Sequence, residues 1–533
     1  MTDRLTADTD AVHRYQGATY PTGPQAPASV LGHLARHAAV LGDAPYLTAV
    51  AEDGATRTLT YRELDESSRR VAHWMRTELA LAPGTPVGLL PVNDVDSVLA
   101  LYGALRAGCP ALMLNPADPL TRLTEQTAGL GVDVVVHGGG VPEDRVPGSV
   151  RLPDPRRLPD PGDGEVPEPL RPDDDALYFG TSGSTAASKL VAQTHGNGAA
   201  NAAAVVRHHG LGPGDTFLGC LPIHHVNGVH FTLFATLAAG AHAVLAARFD
   251  PFGYPKLLTT YRPRVASVVP SVLDALLGVW KRPHLPEQFR YFVSAAAPLS
   301  TETARAVHER FGVRVLQGYG LTETTNFSTT MPRDLDDATY RRLMLDTHIP
   351  SIGVAVDGNE VAVLLSDGSP ARPGQTGEIC MRGHNVMSRY AGNAEATAEA
   401  FRGGWFHSQD LGHLVRDEQT GRDFFVVTGR VKNIAKVRGE TVSLEEMERV
   451  LRALPGVRDA ACAAVPDPLL GETVAVAVSA PDVVTDAALR AHMRAHFAEA
   501  VQPSRILRVA QVPRTSTGKI LRPVLKELFR PSA

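Results

Sequence analysis

The most informative stretch of this chain is residues 180–189, which read Gly-Thr-Ser-Gly-Ser-Thr-Ala-Ala-Ser-Lys. The apolar run Ala176-Leu177-Tyr178-Phe179 precedes it and has the composition of a strand end. Small residues let backbone N–H groups approach a polyanion, and successive N–H groups in a turn form a concave anion site. Hydroxyl and lysine side chains add strong donors to phosphate oxygens. The stretch therefore predicts a phosphate-binding loop, although a flexible Gly/Ser surface loop has a similar composition.

This loop differs from a Walker A loop. The Walker A pattern places Ser or Thr directly after the lysine, where the hydroxyl binds magnesium. Here Leu190 follows Lys189, so that hydroxyl is missing.

Lysine is rare in this chain, which makes the few lysines informative. The sequence holds seven lysines against 45 arginines. An ammonium and a guanidinium differ in shape, hydration and charge concentration, so a site that needs a compact mobile cation resists the exchange. Lys189, Lys432, Lys436 and Lys519 lie in motif-like stretches among glycine, threonine and arginine, and we interpret them as candidate functional residues. The other three are interpreted as solvated surface residues.

Length, charge and cysteine usage limit the class of protein. A chain of 533 residues is too long for one hydrophobic core and predicts a large domain plus at least one other. A net charge of −5 excludes a general affinity for nucleic acid or membranes. The four cysteines are scattered without metal-ligand spacing, which is typical of a reducing compartment. With no signal-peptide pattern and no apolar run of ~18 residues, we expect a cytoplasmic protein without a membrane span.

The apolar pattern divides the chain into three regions. Residues 1–27 are polar with proline and glycine, and are interpreted as an N-terminal tail. Over residues 28–430, helical and strand-like patterns alternate, which is typical of parallel sheets with crossover helices, and β-like runs dominate residues 351–430. Residues 431–533 resemble a compact α+β domain. The predicted fold class is α/β: a large N-terminal domain with mainly parallel sheets flanked by helices and a β-rich subdomain, followed by a small α+β domain.

Several elements are predicted individually. Helical spacing is present over Leu64–Met75 and Leu273–Trp280, and short buried strands are predicted at Val87–Leu90 and Val265–Val269. Ser443-Leu444-Glu445-Glu446 has the pattern of a capping box at the start of a helix.

Four further motifs contain polar residues among glycines. Residues 317–324 read Gln-Gly-Tyr-Gly-Leu-Thr-Glu-Thr, residues 404–410 read Gly-Trp-Phe-His-Ser-Gln-Asp, residues 429–433 read Gly-Arg-Val-Lys-Asn, and residues 513–520 read Pro-Arg-Thr-Ser-Thr-Gly-Lys-Ile. Each motif is weak alone. Together, in this order and at these separations, they resemble the adenylate-forming (AMP-binding) superfamily, which includes acyl-CoA synthetases such as 4-coumarate–CoA ligase, nonribosomal adenylation domains and beetle luciferases. The resemblance covers roughly residues 30–525.

The resemblance implies a ligase with two half-reactions. A carboxylate attacks the α-phosphate of Mg·ATP and forms an acyl-adenylate and pyrophosphate. A pantetheine thiol, that of CoA or of a carrier protein, then displaces AMP. The expected cofactors are ATP, Mg²⁺ and CoA or carrier-protein phosphopantetheine. The expected partners are a small-molecule acid and, in the second case, an acyl carrier protein.

The resemblance also assigns roles to residues that would bind the nucleotide. Glu323 is expected to bind Mg²⁺, and Thr322 is expected to donate to the α-phosphate. Tyr319 would stack on adenine, and Asp410 and Arg430 would hold the ribose hydroxyls. The remaining ATP/AMP-binding residues implied are Thr181, Ser182, Gly183, Ser184, Thr185 and Lys189 on the phosphate loop, Ala297 and Pro298 beside adenine, and Gly318 and Gly320 around the tyrosine.

The small C-terminal domain is implied to be a mobile lid. Lys519 would stabilise the charge that builds at the α-phosphate during adenylation. Lys432 fits the hinge position, where a swing of this domain would remove Lys519 and admit the thiol. Lys436 and Arg438 would then face the thiol side, and Gly439 would leave room for a pantetheine arm.

The acyl-substrate pocket is less well defined by the resemblance. Its implied lining residues are His225, Asn227, Phe231, Ala296 and Thr325, and His225 is equally typical of a core histidine. The stretch between residues 224 and 246 has no aspartate of the kind that amino-acid-selecting domains carry, so an α-amino acid substrate is not expected.

Four positions depart from the family pattern. Glycine is usual where Ala186 and Gln409 stand, proline is usual where Ser188 stands, and lysine is often found where Arg514 stands. A β-carbon at residue 186 or 409 is costly if the backbone there requires a positive φ. These departures leave efficiency and the partner substrate open.

Several functions remain compatible with the sequence. The leading one is an acid–thiol ligase that makes an acyl- or aryl-CoA, with loading of a carrier protein as the close alternative. A more distant alternative is adenylation of a non-carboxylate oxyanion such as nitrite, for diazotisation of an aromatic amine. A luciferase-like oxygenase would instead combine the adenylate with O₂.

Overall fold

The computed structural model describes residues 9–21, 26–162, 170–181, 189–282, 284–437, 440–467, 471–497, 499–514 and 520–529. The chain forms two compact units. The first contains Met1–Ala362, Cys380–His407 and Asp417–Phe424, and the second contains Val363–Ile379, Ser408–Arg416 and Phe425–Ala533.

Two large sheets make up most of the first unit. One has nine strands in the order β15-β14-β13-β12-β11-β9-β10-β1-β2, and the other has seven in the order β18-β8-β7-β4-β3-β5-β6. The first fifteen strands are β1 Pro45–Val50, β2 Thr56–Thr60, β3 Val87–Leu90, β4 Ala111–Met113, β5 Val135–His137, β6 Val150–Arg151, β7 Asp175–Gly180, β8 Leu190–Thr194, β9 Thr216–Gly219, β10 His242–Ala246, β11 Val265–Val268, β12 Tyr291–Ser294, β13 Arg314–Tyr319, β14 Thr329–Thr330 and β15 Val354–Ala355.

The next five strands complete the central part of the chain. Strand β18 belongs to the seven-stranded sheet, and the other four form a sheet in the order β16-β17-β19-β20. Their bounds are β16 Asn359–Leu364, β17 Gly377–Gly383, β18 Arg389–Tyr390, β19 Phe406–Asp417 and β20 Arg422–Arg430.

Helices connect the parallel strands of the first unit. Residues Asn227–Ala235 form a π-helical segment that continues directly into the sixth helix. The helices of this unit are α1 Leu31–Val40, α2 Tyr61–Thr77, α3 Val95–Ala107, α4 Leu120–Leu130, α5 His195–His209, α6 Thr236–Ala239, α7 Tyr254–Tyr261, α8 Pro270–Val279, α9 Thr301–Phe311, α10 Asp337–Tyr340 and α11 Ala394–Ala400.

The second unit contains a small α+β fold. Its described strands after residue 430 are β21 Ile434–Val437, β22 Glu440–Ser443, β23 Asp459–Asp467, β24 Gly471–Ser479 and β25 Arg505–Arg508, and its helices are α12 Leu444–Ala453, α13 Asp486–Arg494 and α14 Arg522–Leu528. The long pair β23–β24 is antiparallel, and β25 joins β24 in parallel.

Local sequence explains the boundaries of these elements. The predicted helix over Leu64–Met75 is α2, which begins earlier because the Thr60 hydroxyl accepts a hydrogen bond from the Glu63 N–H and the Glu63 carboxylate accepts one from the Thr60 N–H. The side chain of Ser443 caps α12 by accepting from the Glu446 N–H. The structure confirms the predicted α/β class: β3 matches its predicted bounds, and β11 and α8 lie at their predicted places.

Candidate functional site

Three of the predicted regions lie at one edge of the nine-stranded sheet. Strands β9, β11, β12 and β13 are parallel neighbours, so their carboxyl ends meet at the same edge. The segments that leave these ends carry three predicted regions: His225 after β9, Ala296–Pro298 after β12, and Gly320–Glu323 after β13. Ligands in open α/β sheets bind at such an edge.

The glycines of the 317–324 motif permit a close backbone approach. A β-carbon on Gly320 would lie 1.5 Å from the carbonyl oxygen of Asn326, and one on Gly318 would lie 2.7 Å from a ring carbon of Phe327. Neither glycine has a positive φ, so the requirement is steric rather than conformational. The motif folds back on itself and presents Tyr319, which is half-buried, at the sheet edge.

Two buried polar side chains, Gln193 and His230, support the short turn after Gly320. Thr322 and Glu323 lie on a short 3₁₀ turn, Thr322–Thr324, and both are half-buried. The Gln193 Nε2 donates to the carbonyl of Thr322 at 2.8 Å, and the Gln193 Oε1 accepts from His230 at 2.7 Å. Burial lowers the pKa of His230 to about 3, so the ring stays neutral. Gln193 and His230 were not predicted, because nothing near them in sequence resembles the motif that they support.

Tyr390 connects Glu323 with the lysine of the phosphate loop. Its hydroxyl donates to Glu323 Oε1 at 2.8 Å, and the Lys189 Nζ lies 4.6 Å from the centre of its ring. Lys189 itself is exposed beside strand β8, and the Thr181 N–H donates to its carbonyl at 2.9 Å. In sequence, the predicted loop therefore lies between the antiparallel strands β7 and β8. Sequence reasoning missed Tyr390, which lies in no motif that we recognised.

Asp410 and Arg430, predicted to hold the ribose, form an ion pair in the second unit. The Arg430 Nε lies 2.8 Å from Asp410 Oδ1, and the Asp410 side chain is only 4% exposed whereas that of Arg430 is 57% exposed. The Asp410 N–H donates to the Ser408 hydroxyl at 3.0 Å. The ion pair thus orients a buried carboxylate.

Gln409 adopts the strained backbone that the sequence departure predicts. Its φ is +62°, in the left-handed region where glycine is usual, and its N–H donates to Glu378 Oε1 at 2.8 Å. A non-glycine residue there costs roughly 1–2 kcal/mol.

We expect Gln409→Gly and Gln409→Val to shift stability in opposite directions. Glycine relieves the left-handed strain, whereas a β-branched residue increases it, so the two variants should differ by about 1–2 kcal/mol or more. Thermal unfolding of the two purified variants beside wild type measures this difference. Equal melting temperatures for all three proteins would show that residue 409 does not need a positive φ.

Two other predicted residues also have a positive φ. Ala296 has φ +67° and is exposed beyond the end of β12, next to the exposed Ala297 and Pro298. Thr325 has φ +64° and is buried, and its hydroxyl donates to the Asn385 carbonyl at 2.6 Å. Strained residues of this kind cluster at functional sites. Together with Gln409, they support a functional interpretation of the regions that the motifs indicated.

The predicted acyl residues have different surroundings. Asn227 is buried, accepts a hydrogen bond from Ser267 at 2.9 Å, and lies 3.5 Å from Asn326. Phe231 is a core residue whose ring packs against three other aromatic rings, and its place in the acyl pocket stays a prediction. These rings belong to His209, Phe217 and Phe327.

His225 is exposed and lies next to a second histidine. The ring centres of His224 and His225 are 4.4 Å apart. Burial and the adjacent ring lower the pKa of His224 to about 3, so it stays neutral. The exposure of His225 fits a position at the entrance of a pocket better than a core position.

Some predicted residues lie outside the description. On the phosphate loop these are Ser182, Gly183, Ser184 and Thr185, together with the departures Ala186 and Ser188; in the small domain they are Arg438, Gly439 and Lys519. Lys432 is exposed on a 3₁₀ turn, Val431–Asn433, directly after β20. The backbone of Lys436 lies in β21.

The described part of the chain contains no helix that is both long enough and apolar enough to cross a membrane.

Each of the four cysteines is buried and reduced. Burial raises the pKa of Cys109 to about 11 and that of Cys220 to about 12, which makes these thiols unreactive.

Comparison with known proteins identifies the family of this chain. Residues 34–391 match the family model for AMP-binding enzymes, and residues 446–519 match that for the AMP-binding enzyme C-terminal domain. The chain is 35% identical to a sulfoacetate–CoA ligase of Cupriavidus necator over 504 residues, which cover 93% of this chain and 91% of that protein. It is 30% identical to a feruloyl-CoA synthase of Amycolatopsis over 91% of this chain and 96% of that one.

Solved structures show the same fold. ATP-bound MatB from Rhodopseudomonas palustris superposes with a TM-score of 0.81 at 27% identity, covering 94% of this chain and 99% of that one. The o-succinylbenzoate–CoA synthetase of Bacillus subtilis, in complex with its acyl-adenylate intermediate, has a TM-score of 0.80 at 24% identity over 94% of this chain and 99% of that one. The chain therefore belongs to the AMP-binding enzyme family and is an ATP-dependent, AMP-forming acid–thiol ligase.

Proposed function

We propose that this enzyme converts a short polar carboxylic acid into its CoA thioester through an acyl-adenylate, with Mg²⁺ bound by Glu323. The observation that carries the proposal is the contact of Glu323 and Lys189 with the same tyrosine, Tyr390. A carboxylate for a hard divalent cation and an ammonium for phosphate oxygens then lie at one place, as a Mg·triphosphate requires.

The remaining nucleotide contacts follow from the chemistry of each group. Thr322 supplies a hydroxyl donor for the α-phosphate, and Tyr319 supplies an aromatic face for adenine. Asp410 accepts from the ribose hydroxyls while Arg430 keeps it charged and oriented. Magnesium, when bound, neutralises phosphate charge and favours departure of pyrophosphate.

The acceptor is proposed to be free CoA. Several relatives of this chain carry the names of CoA ligases or CoA synthases, among them enzymes for sulfoacetate, ferulate, oxalate and 2-succinylbenzoate. No relative among these names a carrier protein. Lys436, Arg438 and Gly439 are the proposed contacts on the thiol side, and Lys432 is the proposed hinge.

A polar cluster at the sheet edge supports a short acid with a second polar group. The Asn326 side chain is 4% exposed, and its Nδ2 has no hydrogen-bond partner among the described residues. The cluster of Asn227, Ser267 and Asn326 thus leaves a buried amide donor unpaired, which is costly unless a ligand accepts from it. A sulfonate, carboxylate or carbonyl oxygen on the acyl group would satisfy it, whereas an alkyl chain would not.

We also propose that the protein is cytoplasmic. ATP and CoA are available there, and none of its four cysteines forms a disulfide bond, as expected for a reducing compartment.

Pyrophosphate release over a panel of acids tests this proposal. Sulfoacetate, oxalate, ferulate and 2-succinylbenzoate are compared with apolar acids of matched length, each with CoA and with a phosphopantetheinylated carrier protein as acceptor. We expect highest kcat/KM with a short acid that bears a second acceptor group, and thioester formation with CoA. Preference for apolar acids would reject the polar class, and transfer to the carrier alone would reject CoA. Turnover with nitrite, or O₂ uptake without thiol consumption, would indicate the alternative reactions.

Asp410→Ala is expected to raise the KM for ATP. A charged hydrogen bond to ribose is worth roughly 1.5–3 kcal/mol, which corresponds to about a tenfold or larger increase. Asp486→Ala is the matched control, because Asp486 pairs with Arg508 at 2.7 Å in the same unit but on its surface. Initial rates over a range of ATP concentrations measure both variants. An ATP KM for Asp410→Ala equal to that of the control would contradict the ribose role.

A further inference from the structure

Tyr390 lies on a short strand that is held firmly against the phosphate-loop hairpin. Strand β18 pairs antiparallel with β8, with Tyr390 opposite Val191, and the Ala391 N–H donates to the Leu190 carbonyl at 2.7 Å. The neighbouring Arg389 binds Asp175 of β7 through both terminal nitrogens, at 2.9 and 2.5 Å. The backbone of Tyr390 is thus placed by the same two strands that carry the loop.

The side chain of Tyr390 contacts two groups of opposite charge at its two ends. Tyr390 is only 7% exposed, and the face of its ring lies 4.6 Å from the ammonium of Lys189. The hydroxyl donates to Glu323 Oε1 at 2.8 Å. A rigid ring with two rotatable bonds is well suited to hold both partners at a set separation.

Each contact has a strength suited to positioning. A cation–π contact at an exposed lysine changes an equilibrium by about two- to fivefold, so it orients Lys189 without competing with a triphosphate. A hydrogen bond to a carboxylate is stronger and restricts the orientation of the Glu323 carboxylate.

We propose that Tyr390 is a positioning residue that sets the Glu323 carboxylate for Mg²⁺ through its hydroxyl and sets Lys189 for the phosphates through its ring. The inference rests on the proposed function, in which Glu323 binds Mg²⁺. It extends that function to a residue 67 positions away in sequence from Glu323.

Two substitutions separate the roles of the hydroxyl and the ring. Tyr390→Phe keeps the ring and removes the hydroxyl, so the Mg²⁺ concentration for half-maximal pyrophosphate release should rise about tenfold while the ATP KM stays within about twofold. Saturating Mg²⁺ should restore most of the kcat. Tyr390→Leu removes both contacts, so the ATP KM should rise in addition, by about two- to fivefold.

Tyr61→Phe is the control. The Tyr61 hydroxyl donates to the Ala241 carbonyl at 2.6 Å, a buried hydrogen bond that involves neither Glu323 nor Lys189. Its Mg²⁺ dependence should equal that of wild type. Thermal unfolding of all variants identifies any that fold poorly, and Tyr390→Phe, which changes one buried hydroxyl, is expected to fold.

Glu323→Gln distinguishes failure of this inference from failure of the proposed function. If Glu323→Gln leaves the Mg²⁺ dependence unchanged, the metal role of Glu323 is wrong and the inference falls with it. If Glu323→Gln changes the Mg²⁺ dependence and Tyr390→Phe does not, only the positioning role of Tyr390 is rejected. The inference is supported when Tyr390→Phe shifts the Mg²⁺ dependence in wild type but adds nothing in the Glu323→Gln background.

Discussion

Lys519→Ala is expected to slow adenylate formation by about 10²–10³-fold and to leave thiol transfer nearly unchanged. Charge builds at the α-phosphate as the carboxylate attacks, and a cation placed there stabilises the transition state more than the substrates. Transfer from a chemically made acyl-adenylate to CoA does not pass through that transition state. The two half-reactions are therefore measured separately, the first by pyrophosphate release and the second by thioester formation.

Lys526→Ala is the matched control for this prediction. Lys526 is exposed on α14, seven positions further along the chain, and should affect neither half-reaction. Equal slowing of both steps by Lys519→Ala would indicate misfolding of the small domain or the lack of a swing. No slowing of either step would make Lys519 a surface residue and would refute the mechanism.

Two arginines that flank residues 515–519, Arg514 and Arg522, form ion pairs with acidic residues of the small domain. Arg514 forms a β-bridge with Ile520, and its guanidinium donates to both carboxylate oxygens of Asp459 at 2.8 and 2.7 Å. On the other side, Arg522 binds Glu448 at 2.8 Å. The family often has lysine at position 514, and a lysine could not make this two-pronged contact. Arg514 is thus bound to the first residue of strand β23.

Glu323→Gln should have the second large effect, a loss of about 10²-fold or more in turnover at limiting Mg²⁺. Even residues that only support a metal ligand change metal affinity by about 10–100-fold when replaced, and Glu323 is proposed to touch the ion itself. Glutamine keeps the shape, and its amide oxygen still accepts from the Tyr390 hydroxyl, so the fold should be retained. Only the charge that Mg²⁺ requires is lost.

Initial rates over a range of Mg²⁺ concentrations, at fixed ATP, measure this effect. Glu395→Gln removes the same charge from an exposed position at the start of α11 and serves as the control. A kcat and Mg²⁺ dependence for Glu323→Gln that match those of the control would assign the metal to another residue.

Local sequence predicted the elements well where a short-range pattern specifies them. Strand β3 is a continuous apolar run, and α2 has helical spacing behind a capping box, so each can be identified from fewer than twenty neighbouring residues. The strain at Gln409 was also foreseeable, because the family pattern has glycine there and the structure has φ +62°. Short-range sterics and hydrogen bonds determine these features.

The supporting residues of the site were not predictable in this way. Gln193 supports Thr322, and Tyr390 joins Glu323 to Lys189, through contacts between segments far apart in the chain. Glutamine, histidine and tyrosine are common throughout proteins, and only their neighbours give them a role.

Local sequence was enough to predict the chemical groups of this protein, because residues 180–189, the acid after the Tyr-Gly-Leu-Thr run and the scarce lysines can be identified directly in it. The contacts of Tyr390 with Glu323 and Lys189 depend instead on the tertiary structure. Parallel strands β9, β11, β12 and β13 bring their carboxyl ends to one edge, and β18 pairs with β8. Strand order is set by long-range burial and hydrogen bonding, which no local pattern encodes.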